Sequence, residues 1–169
     1  MKKIKLSVEL VPKTCWGGNA RSTIKPSEWN KIRKLSYKDA GYKCEICRTK
    51  EPLECHEIWS YDDETHIQKL DGLISLCKLC HLTKHIGRAN AMGKQAGVFE
   101  QLQVVNKWTH KQVVEHVAES FEIYKERSKH EWKLDLSLLT QEPYNLKINA
   151  EADRKFKKKT YRKRRRKKK

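Results

Sequence analysis

Two Cys-x-x-Cys pairs constrain this chain more than any other feature of its sequence. Cys44 and Cys47 form the first, Cys77 and Cys80 the second, with 29 residues between them. A tetrahedral zinc ion takes four thiolates at about 2.3 Å, and two such turns supply four once the chain folds back so that they meet. A redox Cys-x-x-Cys is the rival reading, but two copies framing a short stretch fit zinc better. With every position taken by sulfur, the site is expected to be closed and structural. Cys15 and Cys55 are assigned no role.

The histidines around this staple suggest chemistry. His81 directly follows Cys80 and His85 lies four residues on, so on a helix both imidazoles share one face. His56 sits in a strand-like stretch, Leu53 to Ser60, between the two pairs. A hairpin folded over the zinc would carry it against that helix. These three are read as ligands of a second, catalytic divalent ion. His66, His110, His116 and His130 are read as surface or satisfied core residues.

The order of these pieces resembles the HNH endonucleases, a branch of the ββα-metal nucleases. Leu53-Glu54-Cys55-His56-Glu57 matches the family's strand, Leu73 to Cys77 the lead-in to the second cysteine pair, and Cys80-His81 with Lys84-His85 the end. The likeness covers roughly residues 42–87. It implies an α+β fold built on a zinc-stapled ββα-metal unit. It also implies hydrolysis of DNA phosphodiester bonds with one divalent ion, often Mg²⁺, while a base in the strand activates water. In the favoured register His56, His81 and His85 hold the ion and Glu57 is base or fourth ligand. Shifting by one makes His56 the base and Cys55 the ligand, a poor donor for a hard cation. Three imidazoles suit Mn²⁺, Ni²⁺ or Zn²⁺ better than Mg²⁺. Gly72, with Asp71 beside it, stands where the family has an asparagine that orients the base.

Elsewhere the patterning reads as follows. Lys3 to Val11 alternates Ile4, Leu6, Val8 and Leu10 with polar residues, the mark of a half-buried strand rather than a secretory signal. Residues 12–26, with Pro12, Gly17, Gly18 and Pro26, read as loop. Ser27 is a helix cap, and Trp29, Ile32 and Leu35 give the following helix its stripe, to about Ala40. Asp62, Asp63 and Glu64 form a turn. Cys80 to Ile86 reads as helix ended by Gly87, and Gln95 to Val105 as another. Thr109 with Gln112 makes a capping box for a long helix. Leu134, Leu136 and Leu138 suggest a last strand, pairing with the N-terminal one. Trp59, Trp108 and Trp132 are read as core. The organisation is then an N-terminal strand and loop (1–26), a nuclease core (27–92), a helical extension (93–148) and a basic tail (149–169), expected to be disordered.

Charge points to a polyanion. The chain carries 38 Lys+Arg against 21 Asp+Glu, a net +17, and 13 of its last 16 residues are basic. Such density releases condensed counterions from phosphates. DNA is the expected partner, with RNA left open. Lys78, Lys84, Arg88 and Lys94 are read as phosphate contacts near the site, and Arg162, Lys163, Arg164, Arg165 and Arg166 as the core of the tail's contribution. No apolar run is long enough to span a bilayer, so no membrane role is expected. One site in an assumed monomer predicts nicking, and a protein partner could supply specificity. The expected compartment is the cytoplasm in a bacterium or phage. In a eukaryote Lys163 to Lys169 would serve as a nuclear address. The rival from another class is a zinc-ribbon module that binds nucleic acid without cutting it, alone or within a larger complex.

Overall fold

The computed structural model describes residues 4–148 and the backbone of Glu151–Ala152. The class is α+β. Six helices are described: α1 (Ala20–Thr23), α2 (Pro26–Asp39), α3 (Lys78–Lys84), α4 (Ile86–Ala91), α5 (Gln95–Asn106) and α6 (His110–Arg127). Strands β1 (Leu53–Asp62), β2 (Ile67–Cys77), β3 (Lys133–Asp135) and the two-residue β4 (Glu151–Ala152) lie side by side in that order. None of these helices is long and apolar enough to cross a membrane.

The chain forms two compact units. Among the described residues, the first comprises 4–11, 33–56 and 73–126; the second comprises 12–32, 57–72 and 127–148. In the first, Leu6, Leu76, Ile86, Val98, Leu102 and Val113 are fully buried around the four cysteines. Each such aliphatic side chain contributes about 1.5–3 kcal/mol on burial. Helix α6 begins as its sequence requires: Thr109 Oγ1 accepts from the Gln112 N–H at 3.3 Å and Gln112 Oε1 accepts from the Thr109 N–H at 2.9 Å. Trp108 packs half-buried against this core.

The N-terminal stretch keeps its alternation but is not a strand. Leu6 and Val8 are buried, yet the backbone partners are mostly side chains. Asn106 Oδ1 accepts from the Lys5 and Leu6 N–H groups and its amide donates to the Leu6 carbonyl. His116 Nε2 accepts from Val8 N–H at 3.0 Å. Glu9 N–H donates to the Lys84 carbonyl at 2.9 Å, which satisfies an orphan acceptor at the end of α3. These bonds take the place of a ladder for the N–H groups of Lys5, Leu6, Val8 and Glu9.

In the second unit, β3 pairs in parallel with β2, Gln68 opposite Leu134, and antiparallel with β4. The expected pairing of this strand with the N-terminus is therefore replaced by pairing with β2. Beyond Asp135 the chain turns into a 3-10 helix, Ser137–Thr140, because the Asp135 carboxylate accepts from the Ser137 N–H at 2.7 Å and bends the backbone. Leu134, Leu136 and Leu139 are buried with Leu70 and Trp132. The acidic turn is anchored at both ends. Asp62 accepts from the Glu64 and Thr65 N–H groups, and Arg127 binds Asp63 with two bonds of 2.7 Å.

Helix α2 starts at Pro26, one residue before the expected cap, since proline is preorganised for a first helical position. The helix expected over Cys80–Ile86 is two helices instead. His85 (φ −100°, ψ 52°) interrupts it, and Gly87 lies inside α4. The basic tail with Arg162, Lys163, Arg164, Arg165 and Arg166 lies outside the described residues.

Candidate metal centres

The first unit brings the four cysteines together as their spacing predicts. Their sulfur atoms lie within 4.8 Å of one another, and Cys47 and Cys77 are 3.6 Å apart. Tetrahedral zinc with bonds of about 2.3 Å would separate sulfurs by about 3.8 Å. Cys44 sits in a tight turn where Arg48 N–H donates to the Cys44 carbonyl at 2.9 Å. Arg48 takes the left-handed conformation at φ 66°. The turn is clamped to β2: Glu45 N–H donates to the Ser75 carbonyl at 3.0 Å, and the Glu45 carboxylate accepts from Ser75 N–H at 2.6 Å. Cys77 ends β2, and Cys80 rides the first turn of α3.

The thiol chemistry fits a cation. Burial acts to raise the Cys44 thiol, but N–H groups of Cys47, Cys77 and Ile46 aimed at it prevail and bring it to about 7. Burial pushes Cys77 up to about 11 and raises Cys80 as well, and Cys44 and Cys47 add to both shifts. Four sulfurs this close cannot all ionise unless a positive ion joins them. The group can therefore hold zinc, closed on all sides by sulfur. Gln101 of α5 adds an outer donor, its amide reaching Cys80 Sγ at 3.2 Å.

The histidines converge beside it. His56 of β1, His81 of α3 and His85 at the junction of α3 and α4 offer ring nitrogens within 4.8 Å of one another. Their ring centroids are 5.3, 4.9 and 4.7 Å apart, each pair edge-on. His56 is buried and the other two half-buried. Burial lowers His85 to about 3, with the charges of His56 and His81 assisting. Burial and His56 likewise lower His81, against the pull of Glu54. Two of the rings are thus neutral at pH 7, with lone pairs to give a metal.

Two carboxylates orient these rings, and neither was singled out in the sequence as a site residue. Glu54 pairs with His81 Nδ1. Glu9 bonds His56 Nε2 at 2.8 Å and also pairs with the Lys84 ammonium. Burial acts to raise the Glu9 carboxyl, but the His56 and Lys84 hydrogen bonds and the Lys84 charge hold it at about 2. Glu54 was findable: it stands two residues before His56 on one strand, so both share a face.

Glu57, the expected base, does not join them. One residue from His56, it points to the other face of β1, where its carboxylate accepts from the Arg21 N–H at 3.3 Å. Burial raises its carboxyl above the usual range. Lys84, expected to display its charge to phosphate, is buried against Glu9. Lys78, Arg88 and Lys94 are exposed as expected, and the Arg88 charge acts on both His81 and His85. Gly72 lies within β2, where an added Cβ would meet only the tip of Ile58 at 3.6 Å. His116 is half-buried, its Nε2 taken up by the Val8 N–H. Compared with family models, curated proteins and solved structures, the chain matches none.

Proposed function

We propose that this chain is a metal-dependent endonuclease of the HNH kind, hydrolysing phosphodiester bonds in DNA. The observation that carries the reading is the three-histidine cluster on a β-β-α unit whose helix also supplies Cys80 to the four-cysteine group. His56, His81 and His85 hold one divalent ion and leave its remaining positions to water and substrate, whereas the cysteines hold a structural zinc. Bound there, the ion supplies positive charge to a phosphoryl oxygen and acidifies water. Glu54 and Glu9 fix the rings. Arg88, exposed at the rim, takes a phosphate oxygen and sets the backbone in register. The raised Glu57 carboxyl faces Arg21, so no base role is given to it.

The arrangement of Glu57 also favours a second reading, a non-cleaving nucleic-acid-binding module, because Glu57 turns to Arg21 and the strand's other carboxylate, Glu54, is engaged with His81. A supercoiled plasmid separates the two. The nuclease reading expects conversion to open circles with Mn²⁺, Ni²⁺, Zn²⁺ or Mg²⁺, none with EDTA, at least about 100-fold slower in His81→Ala. Truncation after Glu151 should weaken binding and spare the cut. Salt-sensitive binding with no cleavage under any of these ions would leave the binding module.

A further inference from the structure

Glu9 lies 47 residues from His56 and 75 from Lys84 along the chain, yet bonds both. Its own N–H donates to the Lys84 carbonyl. Its neighbour Val8 is pinned to His116, and Lys5 and Leu6 are pinned to Asn106. The segment therefore holds one carboxylate at a fixed place between an imidazole and a buried ammonium. With Nε2 of His56 committed to Glu9, the nitrogen left for an ion is Nδ1. A neutral imidazole carries one proton, and a carboxylate partner keeps it on the nitrogen facing that partner.

We propose that Glu9 is a positioning residue of the three-histidine centre, holding His56 as the Nε2–H tautomer so that Nδ1 is presented to the ion. This rests on reading the histidines as a metal centre. Lys84 is a second partner of the same carboxylate, meeting its other oxygen with a buried ammonium. Glu54 does for His81 what Glu9 does for His56, with the nitrogens exchanged, since Glu54 meets Nδ1 and leaves Nε2. The two rings on the cluster's flanks are thus fixed through opposite nitrogens by carboxylates from different parts of the chain.

The test is Co²⁺ binding to zinc-loaded protein, followed by calorimetry and by the visible spectrum of the bound ion. Lys84→Met keeps the carboxylate–imidazole bond and should bind within about threefold of wild type, whereas Glu9→Leu with Lys84→Met, which leaves no buried charge unpaired, should bind about 10–100-fold more weakly. Glu9→Gln retains an acceptor for Nε2–H and should fall between. Ring ¹⁵N spectra should report the Nε2–H tautomer of His56 in wild type and a mixture in the double variant. Helical circular dichroism and retained zinc establish that each variant is folded. Should the double variant lose its zinc, Glu9→Gln against Lys84→Met decides: equal affinities overturn the proposal. A folded double variant that binds Co²⁺ as tightly as wild type overturns it also and leaves the metal centre standing. Wild type binding no Co²⁺ beyond its zinc, indistinguishable from His81→Ala, removes the metal centre itself and the proposal with it.

Discussion

The four-cysteine and three-histidine groups are built from the same helix, α3, which gives Cys80 to one and His81 to the other, yet they are supported in opposite ways. The Cys44 sulfur is steadied by backbone N–H groups, those of Ile46 and Cys47 in its own turn and that of Cys77 from the other pair. The imidazoles are steadied by side-chain carboxyl groups, Glu54 from the same strand as His56 and Glu9 from far along the chain. A site filled by four ligands needs only to be closed. One that must leave room for substrate cannot be closed by its own ligands, so its geometry has to be imposed from behind.

That contrast can be broken most forcefully at the cysteines. Zinc held by four thiolates contributes about 10–16 kcal/mol to folding, as much as or more than the whole stability of a typical domain. Cys44→Ser, or a chelator, should therefore unfold the first unit, lost amide dispersion in an NMR spectrum being the readout. If the unit stays folded, the cysteines are not its staple. His85→Ala should do the reverse: cleavage falls at least about 100-fold while the melting temperature moves by only a few degrees. Arg88→Ala should slow cleavage and lower the slope of log affinity against log salt by about one, because one phosphate contact is lost. An unchanged slope would remove Arg88 from the interface.

Smaller effects sharpen the contrast. His116 accepts a hydrogen bond from Val8 in its neutral form, and burial lowers its affinity for a proton. Because the folded ring binds a proton less readily than the unfolded one, its contribution is complete above the ordinary histidine value of about 6.5. It is lost progressively as pH falls from there to the folded value. His116→Gln keeps an acceptor and removes the titration, so urea midpoints of wild type and variant should converge above pH 7 and separate below 6, with the variant the less sensitive. Gln101→Leu should cost least, about 1 kcal/mol for one lost bond to Cys80, detected as faster zinc transfer to a chelator. No change in that rate would mean that the outer donor is incidental.

The sequence made local geometry legible and long-range pairing opaque. The cysteine cluster follows from spacing alone, as do His81 and His85 on one helical face. Period two in β1 was also available: it places Glu54 with His56 and turns Glu57 away, contrary to the role that Glu57 was given by resemblance. Lys84 falls four residues after buried Cys80, so its burial was readable from helical period, although a lysine's default is solvent. Glu9 carried no such signal. A glutamate in an alternating stretch reads as the wet side of a strand, and only tertiary structure puts Lys84 and His56 around it. The same blindness sent the strand at Lys133–Asp135 to the wrong neighbour, since nothing local distinguishes one hydrophobic edge from another.

The side-chain tethers of the N-terminal segment also set a timetable. A ribosome delivers Glu9 early, but His116, which pins its neighbour, follows Val8 by 108 residues, and Asn106 follows Lys5 by 101. The two cysteine pairs are complete by residue 80 and can close around zinc while α5 and α6 are still unmade. The tethers of the segment that carries Glu9 must wait for both. A nascent chain thus has its cysteine scaffold in hand before the side chains that fix Glu9 beside His56 have been made.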